Sequence, residues 1–298
     1  GWRISIPATM SYWSELTRPI AVPANFDKSR SVTNTSPRLS LEYKASKEVK
    51  LYTTASRGFK SGGYNIRANT VAFPSSSKPF EDEKLDSLEV GAKMILDGGR
   101  LELNTALFHN KYKNVQLSVF TSYTQANGQP GFFGDFTNAG KATVQGAEVE
   151  FLWTPTTAWR LSGNLATLDA KYDEYIDRGV NVADQKKFTN TPKFQASVNI
   201  EHNLPLAVGT LRSRLGVSHR TKVYPTTDLA EALSQDAYTL VNAGLIWEKD
   251  SRLSYFLQGS NLTNKAYKTD GYNIAALGVL NAYYGAPRTF TVGGTYKF

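Results

Sequence analysis

Two groups of residues in this chain have the types and spacing to do chemistry. Arg212, Arg214 and Arg220 fall on one parity of a single segment, and Arg160 falls on the polar parity of another. Guanidinium is a permanently charged planar fork that suits carboxylate or catecholate oxygens. Such a row either forms salt bridges with neighbouring carboxylates or lines part of a path for an anion. The second group is aromatic and polar: Tyr64, Asn65 and Arg67 within 61–82, Phe132 and Phe133 within 122–135, and Tyr272, Tyr283 and Tyr284 within 268–285. Rings with an Arg beside them can stack on and neutralise an aromatic anion, and the same residues can pack connecting segments against one another.

Other candidates carry less. Glu148 and Glu150 project to one face two residues apart, a spacing that suits pairing with arginines better than acid–base chemistry. His109, His202 and His219 stand alone in their segments, and cysteine is absent, so no metal site or cofactor is expected. There is no HExxH, P-loop or GxSxG, and an enzyme is not expected. Gly58, Gly62 and Gly63 read as turn residues, since no helix follows them to complete a phosphate cradle.

The elements that must hold these residues are strands. Phe290, Val292, Gly294, Tyr296 and Phe298 share one parity, while Thr289, Thr291, Gly293, Thr295 and Lys297 share the other. Strand side chains alternate between faces, so one face is apolar and the other polar. The same alternation sets Phe194, Ala196, Val198 and Ile200 against Lys193, Gln195, Ser197, Asn199 and Glu201, and Leu211, Leu215 and Val217 against Arg212 and Arg214. Read throughout, the pattern predicts twelve strands near 2–8, 37–46, 48–60, 83–96, 99–121, 136–153, 159–174, 191–203, 210–224, 237–248, 252–267 and 286–298.

The connections identify the architecture. Those near 46–48, 96–99, 154–158, 204–209 and 249–251 are tight, and those near 9–36, 61–82, 122–135, 175–190, 225–236 and 268–285 are long. Strict alternation of short and long suits a transmembrane antiparallel β-barrel, with short periplasmic turns and long extracellular loops. Asp97-Gly98 supplies a pair that tolerates positive φ in a tight hairpin. Trp153, Trp159 and Trp247 all sit beside short turns, where an aromatic girdle would meet the membrane–water boundary. The segment 99–121 exceeds a membrane crossing of roughly ten residues and should project beyond the bilayer. The net charge of +8 is spread through the strands rather than gathered in one arm, so a lumen or anion-facing loops account for it better than nucleic acid. The first residues lack an export signal, which predicts a processed chain or a segment of something longer.

Five stretches, in order, resemble the TonB-dependent outer-membrane receptors. They are Ser56-Arg57-Gly58-Phe59-Lys60-Ser61-Gly62-Gly63-Tyr64-Asn65, Leu85 through Lys93, Asn138-Ala139-Gly140 running to Gly146-Ala147-Glu148, Asn261-Leu262-Thr263-Asn264-Lys265-Ala266-Tyr267, and Gly285-Ala286-Pro287-Arg288 through Phe298. The resemblance implies a 22-stranded barrel filled by a plug, and energised uptake through the TonB complex, with a ferric siderophore as the expected extracellular ligand. It implies outer-membrane lipid and lipopolysaccharide as surroundings. Nothing in the chain resembles the plug, so residues 1–298 are expected to be the C-terminal portion of the barrel, with TonB contacted through a missing N-terminal region. Two alternatives stay open: a passive diffusion porin, and a structural barrel within a larger envelope assembly.

Overall fold

The computed structural model describes residues 26–298 apart from 72, 126–127, 139, 178 and 275–277, and the backbone alone at Trp2–Ser5, Thr9–Met10 and Ile20–Ala21; the side chains at 75, 118–122, 132–133 and 135 lie outside the description. Eleven strands form an unbroken antiparallel meander: β1 (Arg38–Lys44), β2 (Val49–Lys60), β3 (Glu83–Leu96), β4 (Leu101–Lys113), β5 (Gly140–Thr156), β6 (Trp159–Asp177), β7 (Phe194–Pro205), β8 (Thr210–Arg220), β9 (Tyr238–Glu248), β10 (Leu253–Ser260) and β11 (Thr289–Tyr296). A two-residue strand, Val180–Asn181, pairs with β6 and brings the sheet to twelve. The sheet is open, because β11 pairs with β10 and β1 with β2, and neither edge meets the other.

Three expectations about the strands need correction. The first one, 2–8, is described only at Trp2–Ser5, and it pairs with Asp27–Arg30 in a separate two-stranded unit rather than edging the sheet. The 99–121 strand breaks at Asn114, whose φ of 55° turns the chain. Beyond that turn Gln116–Thr124 pairs with Pro130–Asn138, so much of the region read as loop 122–135 is a projecting hairpin. The 252–267 strand stops at Ser260, because Asn261 and Asn264 both take left-handed backbone angles, φ 48° and 50°. Asparagine tolerates that region because its short side chain bonds to nearby backbone.

The register carries one parity unbroken across the sheet. Leu51, Ala92, Thr105, Val149, Leu165 and Ala196 lie in one cross-strand row, and Val198, Val217 and Val241 lie in another on the same face. Among the described residues that face meets no other protein layer: Val292 is 80% exposed and Leu41 61%. A sheet this apolar and this uncovered is a lipid-facing wall. Indoles and phenols gather on it at the end with short turns. Trp153 Nε1 donates to Asp97 at 3.2 Å, Trp247 Nε1 donates to the Val208 carbonyl at 3.0 Å, Trp247 stacks on Tyr255, and Trp159 stacks on His202 with centroids 4.2 Å apart.

On the opposite, inward face, aromatic rings lie across glycines of the next strand. Tyr52 faces Gly91, Phe108 faces Gly146 and Phe256 faces Gly293 in register. A Cβ on Gly91 would come within 2.6 Å of the Tyr52 ring and 2.4 Å of the Thr105 carbonyl, so only glycine lets the ring lie flat there.

Candidate functional site

The inward face collects the polar residues that the alternation set apart. Arg212 and Arg214 both lie on it, and both are paired. The Arg212 guanidinium reaches Glu248 at 3.1 Å, and Arg214 Nε lies 3.6 Å from Glu201. Glu201 stands between Arg160 and Arg214 in the register, so two guanidiniums flank one carboxylate. Arg220 differs. It lies opposite Gln195 and Tyr238, and among the described residues it pairs with no carboxylate. It borders a concavity of about 280 Å³ that also takes in Asn164, Ser197 and Ser218. Uncharged hydrogen-bonding groups around an unneutralised guanidinium leave net positive potential for an anion. Glu148 and Glu150 also face inward, as does Glu89, which accepts a hydrogen bond from the Tyr52 hydroxyl at 2.8 Å.

At the end with long loops, the structure binds the sequence-predicted residues into the packing of the loops. Tyr64 donates to the Ser29 carbonyl at 3.1 Å and lies near the Phe26 ring. Asn65 is 2% exposed and donates to the Gly134 carbonyl at 2.9 Å. Arg67 lies 5.5 Å over the Phe136 ring, which itself stacks on Phe80. Phe132 and Phe133 occupy the projecting hairpin, and their side chains lie outside the described residues. Tyr272, Tyr283 and Tyr284 belong to a second hairpin, Lys268–Ile274 with Val279–Tyr284. Tyr272 accepts a bond from Asn281 at 2.9 Å, while Tyr283 and Tyr284 are 52% and 63% exposed. The structure does not bring the three loop groups and the arginine row into a single cluster of direct contacts among the described residues. His109, His202 and His219 face outward on three different strands.

The regular inward–outward parity, the aromatic rim and the long loops at one end narrow the fold to a membrane barrel wall. Residues 13–295 match a family model described as TonB dependent receptor-like, beta-barrel. The chain belongs to that family. The pesticin receptor of Yersinia enterocolitica is 27% identical over 237 residues, 79% of this chain and 32% of that protein. The metal-pseudopaline receptor CntO of Pseudomonas aeruginosa is 27% identical over 271 residues, 88% of this chain and 33% of that protein. Among solved structures, the ferric yersiniabactin uptake receptor FyuA from Yersinia pestis superposes with a TM-score of 0.72 at 22% identity, covering 95% of this chain and 40% of that one. The chain spans about a third of the length of the curated relatives it matches. TonB-dependent receptor barrels cross the outer membrane of Gram-negative bacteria many times, and the family is one of receptors rather than enzymes.

The stretches that resemble other TonB-dependent receptors act here as staples at the bases of the outer loops. A Cβ on Gly62 would fall 2.1 Å from the Phe80 carbonyl oxygen, and the Gly62 amide donates to Asp82 at 2.7 Å. Asn261 is 4% exposed; its side chain donates to the carbonyls of Lys265 and Ala286 and accepts the Lys265 amide. Gln116, which the sequence reading passed over, is 8% exposed and donates through Nε2 to the carbonyls of Lys60, Ser61 and Glu81. Its signal was faint: a single polar residue two positions after the Asn114 turn.

Proposed function

We propose that this chain forms part of the wall of an outer-membrane transporter that takes up an anionic iron chelate, a ferric siderophore, with TonB-derived energy. The observation that carries the reading is Arg220, an inward-facing guanidinium with hydrogen-bonding neighbours and no carboxylate partner among the described residues. It would meet a carboxylate or catecholate oxygen on its way through the lumen, while Arg212 and Arg214, already paired, set the background potential. Tyr64, Asn65, Arg67, Phe132, Phe133, Tyr272, Tyr283 and Tyr284 belong to the loops through which the ligand would enter. The names of the relatives, which include a ferric yersiniabactin uptake receptor and a metal-pseudopaline receptor, support the substrate class.

The chain in this reading is a C-terminal portion of the barrel. Its open edges pair with further strands, and a plug and the TonB contact come from an N-terminal region. Unpaired backbone groups facing hydrocarbon cost several kcal/mol each, which supports completion by further strands over an open sheet in lipid. Outer-membrane lipid and lipopolysaccharide surround it.

Uptake of radiolabelled ferric siderophores by iron-starved cells tests the proposal. Deleting the whole gene should abolish uptake of one chelate, and collapsing the proton-motive force should stop it in wild-type cells. Arg220→Gln in the full-length receptor removes one charge-assisted hydrogen bond and should weaken ligand affinity about tenfold or more. Uptake that persists without the proton-motive force would replace active transport with passive diffusion, and uptake unaffected by the deletion would remove the transport reading altogether.

A further inference from the structure

The outward face carries a feature that the lumen does not explain. From Leu101 to Leu107 the outward side chains of β4 and their cross-strand neighbours, Val90, Met94, Val149 and Phe151 among them, are apolar or small. Two rows nearer the long loops the character reverses. Arg57, Asp86 and Lys111 lie side by side in register, and Lys84 and Lys113 follow in the next outward row. Four cations therefore crowd one outward carboxylate. Arg57 Nε holds Asp86 at 2.5 Å and Lys113 Nζ lies 3.9 Å from it. Lys84 and Lys111 pair with no carboxylate among the described residues. The excess is local. Directly across from Lys113 in the same row, Lys141 is matched by Glu174 at 3.2 Å, and Asp169 and Asp173 on the next strand are hydrogen-bonded to Gln145 and Thr143.

Beside the cations runs a groove of about 570 Å³, lined on its charged side by Arg57, Asp86 and Lys111 and on its apolar side by Leu39, Ala55 and Leu88. The apolar residues form the row just below the charged one, on the bilayer side. Cations at the edge of an apolar band sit at headgroup height, where anionic lipid attracts them. We propose that this groove is a binding site for the phosphorylated head group of lipopolysaccharide. The phosphates meet Lys84, Lys111 and Lys113, Asp86 holds Arg57 in place beside them, and the acyl chains descend over Leu39, Ala55 and Leu88. The site is independent of whatever the lumen carries.

Native mass spectrometry of the full-length receptor in detergent, titrated with bisphosphorylated lipid A, tests this. On the unaltered receptor, bisphosphorylated lipid A should bind well above its fully dephosphorylated form, and equal binding of the two would overturn the proposal. In a triple variant, Lys84→Gln with Lys111→Gln and Lys113→Gln, loss of three surface cations should weaken binding roughly a hundredfold. Lys50→Gln, on the inward face, should leave it unchanged, and replacing the same three lysines by arginine should preserve it. Wild-type binding by the triple glutamine variant would also overturn the site. So would displacement of lipid A by inorganic phosphate at matching concentration, which would mark a simple phosphate site instead.

Discussion

Asn138 and Glu81 clasp each other like paired backbone: Asn138 Oδ1 accepts the Glu81 amide hydrogen at 2.7 Å, and its Nδ2 donates to the Glu81 carbonyl at 3.0 Å. A third bond, from Nδ2 to the Asn114 carbonyl at 2.9 Å, ties the turn after β4 to the same side chain. One amide thus replaces a ladder where three segments leave the sheet. Asn138→Asp removes the donor and sets a negative charge against two carbonyl oxygens. The expected loss is about 1–3 kcal/mol, felt at the loop bases rather than in the wall. Limited proteolysis of the full-length receptor should show faster cleavage within 61–82 and 114–138 and an unchanged membrane-embedded core. Equal protection of both proteins would refute the role.

Val198 and Asn199 are neighbours in β7 that face opposite sides of the wall. Val198→Arg places a charge toward hydrocarbon near mid-height and should cost about 2–4 kcal/mol. Asn199→Arg, opposite Gly216 on the inward face, should cost far less. Chemical unfolding of the refolded full-length barrel in lipid vesicles measures both. Equal costs would invert the assignment of faces.

Sidedness is open to direct labelling. Lys78 is exposed in a long connection and Thr156 is exposed beside a short turn. In the full-length receptor on intact cells, Lys78→Cys should react with a membrane-impermeant maleimide and Thr156→Cys should not. Ser76, close by, is a poor probe because it is buried and accepts the Asn69 amide.

The rim turn is sensitive to acid. The Trp153 indole N–H, and after it Arg100, hold the Asp97 carboxyl below the ordinary aspartate value. A carboxyl lowered on folding contributes stability that is fully present above its unfolded value, near 3.8, and is lost as pH falls through the lowered folded value. Carboxyl NMR of the labelled full-length receptor should give Asp97 a depressed midpoint that rises toward the ordinary value in Trp153→Phe. An unchanged midpoint would mean that the indole contact is not made in solution.

Most of the wall was legible in the sequence because a strand's period of two is strict. One register slip would turn every side chain to the wrong face, so Phe194, Val198, Leu211, Leu215 and Val217 could be assigned together, and Arg212 and Arg214 fell inward as their parity required. The tight turns were legible for a similar reason, since Asp97, Gly98 and Gly99 all take positive φ. The outer end was not. Whether 122–135 is loop or hairpin depends on pairing between Gln116–Thr124 and Pro130–Asn138, and no local signal separates the two. Asn65 and Arg67 read as ligand-facing because polar and aromatic loop residues have the same types whether they bind or pack. Only the Gly134 carbonyl and the Phe136 ring showed where they go. Lys111 and Lys113 shared a parity within one strand, but the distance along the chain to Lys84 and Arg57 hid the basic rim until the register aligned them.

The meander also bears on how the wall forms. Every long ladder joins strands that are consecutive along it, so no ladder has to wait for a distant part of the chain. Closing five tight turns makes five hairpins by local diffusion alone, and the entropy of closing a loop grows only slowly with its length. The slower joins are those across the outer connections, with the one between β10 and β11 bridging residues 261–288. Such a topology suits assembly as a file of preformed hairpins docking edge to edge, with the staples at Gln116, Asn138 and Asn261 latching three of the five outer seams once their neighbours have met.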